Sequence, residues 1–238
     1  MATFAHDRSP RSLLLAALLA VFWSAGTNVA AQGVPPTLEG LVKVPSKKLA
    51  AVYLLPGTEF GAYTKVMIDP TQVSFKKGWV KDINYSRGAT RKITESDAQK
   101  IADAMRSGFE DIFAAAFKAK GYEVVAAPGA DVLRLSPAVV NVYLNAPDPM
   151  RAGVARTYTV EAGEATLTLA ARDSTTGALL GMAVDRSSTR ASRGLEVTTS
   201  VYNRAEFEDL FRYWANICAN GLEQLKTTPV PPDATKKK

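Results

Sequence analysis

Hydroxyl and thiol nucleophiles are ordinarily activated by an imidazole, and most transition-metal sites are built from imidazole or thiolate. This chain of 238 residues has one histidine, His6, and one cysteine, Cys218. His6 lies in a stretch with the features of a removable leader, so the working molecule is expected to contain no imidazole. That excludes serine–histidine and cysteine–histidine nucleophiles and most zinc chemistry. No catalytic residue, metal site or cofactor is assigned. Cys218 falls on the apolar side of a helical stripe, where a thiol is a small buried hydrophobe rather than a reactive group.

Carboxylates are the remaining route to acid/base chemistry, as in glycosidases. Glu161 with Glu164, and Asp173 with Asp185, are the nominal pairs. Against them, Glu164 falls on the solvent face of an alternating strand and Asp173 opens a turn. A second set of residues suits recognition rather than reaction. Lys76, Lys77, Trp79, Lys81, Tyr85 and Arg87 interleave cations with aromatics, and Arg186, Arg190 and Arg193 form a later basic run. Basic–aromatic surfaces bind anions, although charge runs are commonly just a solvated face. An envelope protein or an anionic glycan or lipid surface is the expected partner, and nucleic acid is not. Glycine-rich phosphate motifs are absent: Ser86-Arg-Gly88 and Pro56-Gly57 lack the helix-opening context such a loop needs.

The expectation of export comes from the first 31 residues. Arg8 and Arg11 give a positive start, Leu13 to Trp23 is apolar, and Val29-Ala30-Ala31 offers small residues to a signal peptidase. The apolar run is shorter than the roughly 20 residues a spanning helix needs. Cleavage is expected after Ala31, leaving Gln32 first, in the periplasm or outside the cell. No cysteine follows the apolar run and no arginine pair precedes it, so neither a lipid anchor nor a twin-arginine route is expected. The net charge of +6 and pI near 9.4 mildly favour anionic partners, while 47% hydrophobic and 22% charged residues are ordinary for a globular chain.

These residues must be positioned by a fold, and the patterning indicates an α+β one. Residues 32–47 read as an extended leader, 48–226 as a single domain, and 227–238 as a disordered basic tail. Strands are expected at 48–55, at 63–75 with a break at Asp69-Pro70, at 122–127, and at 132–144 with a bulge at Pro137. Further strands are expected at 156–172 and after the Asp173-Ser-Thr-Thr-Gly177 turn. Residues 76–92 and 186–200 read as loops. Thr94 starts one helix, with Ile101, Met105, Phe109, Ile112, Phe113, Ala116 and Phe117 on one face and Gly121 closing it. Asn203 is expected to cap a second, whose stripe is Phe207, Leu210, Phe211, Trp214, Cys218, Leu222 and Leu225. The order β-β-α-β-β-β-β-α predicts a mainly antiparallel sheet with two amphipathic helices packed on one face.

Three stretches carry a family resemblance. They are Val52-Tyr-Leu-Leu-Pro-Gly-Thr-Glu-Phe-Gly-Ala-Tyr63 with Val66-Met-Ile-Asp-Pro-Thr-Gln-Val-Ser-Phe75, the run Gly163 to Gly177, and Ala205 to Ala215 ending in Arg212-Tyr-Trp-Ala. Together, over 41–225, they resemble the bacterial envelope proteins grouped as domain of unknown function 3313. The resemblance implies an exported α+β protein and supplies no reaction. Many members look like lipoproteins, from which this chain departs by lacking the lipid-bearing cysteine. A non-catalytic envelope binding or assembly module is therefore expected. The alternatives are a hydrolase, which needs a pocket lined by perturbed carboxylates, and a small-ligand carrier, which needs a deep apolar cavity.

Overall fold

The computed structural model describes residues 40–85, 92–145, 157–159, 161–190, 196–198, 200–228 and 230, all within the unit spanning 33–238. Residues 1–39, the 145–153 loop beyond Asn145, and residues 231–238 of the tail lie outside the described residues.

Strand formation follows the alternation in the sequence. In β8 (Glu161–Asp173), Ala165, Leu167 and Leu169 are buried on one face while Glu164, Thr166 and Thr168 are only half-buried. Asp173 then accepts from the backbone N–H of Thr175 and Thr176, which fixes the turn into β9 (Leu179–Arg190). These two strands and β6 (Val132–Leu144) form an antiparallel centre. β2 (Ala51–Leu54) pairs with β9, and β1 (Val42–Val44) pairs with β2, both antiparallel. On the other flank the pairing turns parallel: β3 (Lys65–Ile68) and β4 (Gln72–Phe75) both run along β6, and β5 (Glu123–Val124) runs along β3. The eight-stranded order is β1-β2-β9-β8-β6-β3-β5, with β4 beside β6. A separate antiparallel pair joins β7 (Thr157–Thr159) to β10 (Glu196–Thr198).

The α+β class and the predominance of antiparallel pairing are as expected, and several details differ. The described residues contain three α-helices, because Trp79–Tyr85 inside the expected 76–92 loop forms α1. Two aromatic and aliphatic side chains, Trp79 and Ile83, turn inward there and hold it. β1 lies within the expected leader, and the expected 186–200 loop contains the end of β9 and all of β10. The bulge in β6 falls at Asn141–Val142 rather than Pro137: the register with β8 slips between Val140 and Tyr143, and Asn141 has φ 53. Pro137 sits instead where the neighbour of β6 changes from β3 to β4, a break in the ladder that tolerates a missing donor. The tail begins later than expected, since Val230 is buried and its carbonyl accepts from Gly57 N–H.

Helices α2 (Glu95–Ala119) and α3 (Ser200–Thr227) lie together against the sheet. Thr94 and Asp97 form a reciprocal capping box at the start of α2, and Gly121, at φ 86, supplies the left-handed residue after its end. The start of α3 lies at Ser200 rather than after Asn203. The two apolar stripes meet as an aromatic stack. Phe109, Phe113 and Phe117 follow one another along α2, and Phe109 meets Phe211 of α3 edge-on at 5.2 Å between centroids. Gly163 is required where β8 passes beneath this stack, because a Cβ there would lie 2.2 Å from the Tyr143 carbonyl and 3.0 Å from the Phe207 ring.

Candidate functional site

Beside the aromatic stack the helices do not close on the sheet. A cavity of about 670 Å³ lies between α3 and strands β2, β9, β8 and β6. Its cause is visible in the registers. One row across the sheet reads Leu54, Gly181, Ala171, Leu135, and the next reads Val52, Ala183, Leu169. Three small residues, Gly181, Ala171 and Ala183, occupy the middle of these rows; at Gly181 the Leu54 side chain fills the place a Cβ would take, at 3.0 Å, while the short side chains of Ala171 and Ala183 leave the floor low. Above them α3 presents Gly221, at which a Cβ would meet nothing within 4 Å. The space is a groove open to solvent along one side. The buried residues Phe60, Phe117, Leu222 and Val230 also line it.

The rim is the loop between β1 and β2. Pro45, Ser46, Lys47 and Lys48 line it and are exposed. Ser46 Oγ accepts from Leu49 N–H at 3.0 Å, and the Tyr213 hydroxyl of α3 donates to the Lys48 carbonyl at 3.3 Å. Asp185 of β9 anchors both walls. Its carboxylate accepts from Ala50 N–H at 3.1 Å, from the Ser187 hydroxyl at 3.1 Å and from Trp214 Nε1–H at 2.7 Å. Trp214 is fully buried and Asp185 is 7% exposed. A buried carboxylate is tolerated when its lone pairs are met by donors in this way.

The groove contains no Asp or Glu among its lining residues. Cys218, which lines it, is buried as the sequence indicates, and burial together with the Asp185 charge pushes its thiol up to about 12, keeping it protonated and unreactive. Of the nominal carboxylate pairs, Asp173 and Asp185 lie apart, since Asp185 is opposite Leu167 on the β8–β9 ladder. Asp173 is held below the ordinary carboxylate range, first by the Thr175 hydroxyl and then by Thr176 and Tyr63. Asp185 is occupied at the groove wall. The Glu161 side chain lies outside the described residues, and Glu164 is ion-paired. A general acid needs its carboxyl raised toward neutral pH; donors at Asp173 and Glu164 act in the opposite sense.

Two of the basic positions, from segments far apart in sequence, converge on Glu164. Arg186 Nη2 lies 2.7 Å and Lys76 Nζ 3.4 Å from its carboxylate oxygens, and the Asn141 bulge lines the same small depression. The Arg186 hydrogen bond, ahead of Lys76, lowers the Glu164 carboxyl. Lys77, Lys81 and Tyr85 are exposed, Tyr85 at 94%. Trp79 is in the core: its ring stacks on Phe75 at 4.1 Å and its Nε1–H donates to the Leu144 carbonyl at 3.0 Å, which removes it from any surface patch. Arg190 lies in β9 with its side chain outside the described residues, as are Arg87 and Arg193 entirely. The sequence reading missed the groove. Its signal was present in the inward-facing small residues Ala171, Gly181 and Ala183, but strand alternation alone marks them only as buried.

Among the described residues no helix is long and apolar enough to cross a membrane, and no cluster of three or more His, Cys, Asp or Glu is placed to hold a metal. No curated protein matches the chain. Among solved structures it is similar to a PelC variant dodecamer from Paraburkholderia phytofirmans, with 13% identity, 76% of this chain and 97% of that one covered, and a TM-score of 0.36. It is similar also to a Xanthomonas campestris protein of family DUF330, with 12% identity, 79% and 95% covered, and a TM-score of 0.36. Residues 31–217, a span that includes the floor of the groove but only Ile217 of its α3 lining, match the family described as protein of unknown function DUF3313, and the chain belongs to that family.

Proposed function

We propose that this protein is an exported, non-catalytic binding module of the bacterial cell envelope, and that it holds an apolar ligand in the groove between α3 and the sheet. The observation that carries the reading is the groove itself: a 670 Å³ space floored by Gly181, Ala171 and Ala183 and lined without any carboxylate. That volume is within the roughly 300–1,000 Å³ of small-molecule sites, which are mostly apolar and few per protein. Export is supported by the basic, apolar and small-residue succession of residues 8–31, and membership of DUF3313 is in keeping with it. The hydrolase alternative loses ground because Glu164, Asp173 and Asp185, three of the four carboxylates that sequence singled out, are engaged by donors.

The test has two parts. Mass determination of protein recovered from the periplasm should give Gln32 as the first residue; intact chain recovered from the cytosol would defeat the export reading. Delipidated protein should then bind the uncharged dye Nile red saturably at one site. Gly221→Leu, which projects a side chain into the groove from a position with free space, should abolish that binding while circular dichroism and the melting temperature are retained. Binding unchanged in a folded Gly221→Leu protein would refute the groove as the site.

A further inference from the structure

We infer that the occupant of the groove is a single-chain anionic amphiphile, its tail lying on Ala171 and Ala183 and its acidic head at Lys47 and Lys48. This rests on the groove reading and adds the ligand's class. The first argument is charge. The lining residues carry only two charges, both positive and both at the mouth, while the interior is apolar. Neither ammonium group has an ion-pair partner among the described residues. This contrasts with Lys76 and Arg186, which already share Glu164.

The second argument is preorganisation. The backbone carrying the two lysines is fixed at three points: Ser46 Oγ receives Leu49 N–H, Tyr213 donates to the Lys48 carbonyl, and Asp185 receives Ala50 N–H. The lysines therefore stand at the rim without the loop having to be ordered on binding, which lowers the cost of association. Gln224 and Thr228, which also line the groove, are uncharged polar residues. The third argument is size. At roughly 30 Å³ for a group as large as a water molecule, the 670 Å³ space takes on the order of twenty such groups. One long alkyl chain with a compact head is enough to fill it.

The experiment displaces Nile red from delipidated full-length protein with four dodecyl compounds held below the onset of micelles: laurate, dodecyl phosphate, dodecanol and dodecyltrimethylammonium. The two anions should displace the dye at concentrations on the order of tenfold below the alcohol, as expected for two exposed charge contacts, and the cation should be weakest. Lys47→Gln with Lys48→Gln should remove this order and leave dodecanol unchanged, and added salt should compress it in the wild type. Equal displacement by alcohol and anions, or an order that survives the double substitution, would overturn the amphiphile inference while the groove reading stood. Failure of every compound to displace the dye, with Gly221→Leu also without effect, would overturn both. A dimer in solution that Gly221→Leu dissociates would replace the amphiphile with a second copy of the chain.

Discussion

Removing the Asp185 carboxylate should destabilise the protein severely, and its surroundings allow the size to be worked out. The group is almost wholly buried and receives three donors, from Ala50 N–H, the Ser187 hydroxyl and Trp214 Nε1–H. In Asp185→Ala, Ser187 is free to rotate, but the indole and the Ala50 amide lose a charged acceptor. A donor left buried without a partner costs about 1–3 kcal/mol, and hydrogen bonds to charged groups lie at the upper end. Trp214 is fully buried, whereas Ala50 is exposed and its amide can turn to water, so the loss is about 2–3 kcal/mol, a large part of the 5–15 kcal/mol typical of a domain. At about 2–4 °C per kcal/mol for a chain of this size, the midpoint should fall on the order of 10 °C. Denaturant unfolding followed by tryptophan fluorescence and far-ultraviolet circular dichroism measures it. Asp185→Asn keeps one acceptor oxygen and should lose about half as much. A loss below about 1 kcal/mol in the alanine variant, or a larger loss in the asparagine variant than in alanine, would refute Asp185 as the tie between α3 and the rim loop.

Four smaller expectations follow from single contacts. Gly163→Ala should cost about 1–3 kcal/mol in denaturant midpoint, since its methyl would meet backbone at Tyr143 and the Phe207 ring. Gly221→Ala should raise stability by about 0.5–1 kcal/mol, because it improves a helix interior and meets open space. Trp79→Phe should cost about 1–3 kcal/mol by orphaning the Leu144 carbonyl, whereas Tyr85→Ala, at an exposed position, should stay within about 0.5 kcal/mol of wild type. Asp173, whose folded pKa is lowered by the Thr175 and Thr176 donors, stabilises the fold above the unfolded value of about 3.9 and loses that contribution as pH falls through the folded value. Asp173→Asn should therefore melt below wild type at neutral pH, with the gap narrowing below about pH 4; a gap that is the same at pH 3 and pH 7 would refute this account.

The sequence determined whatever depends on local repetition. The Phe109, Phe113, Phe117 stripe, the Thr94 cap, the alternation from Ala165 to Ala171 and the Asp173 turn are each encoded within a few residues. The family was readable too, because its motifs are contiguous. Tertiary structure alone decided the rest. That β3 and β4 run parallel along β6 depends on a crossover through α2 that no short window contains. Trp79, surrounded by lysines in sequence, is drawn inward by Phe75 and the Leu144 carbonyl 65 residues away. Lys76 and Arg186 meet at Glu164 because β6, β8 and β9 are neighbours. The groove arises only when Gly181 and Ala183 of β9 fall beside Ala171 of β8 beneath Gly221. Periodicity reports which face of an element is buried, but the space left between two buried faces is set by side-chain volumes that come together only on folding.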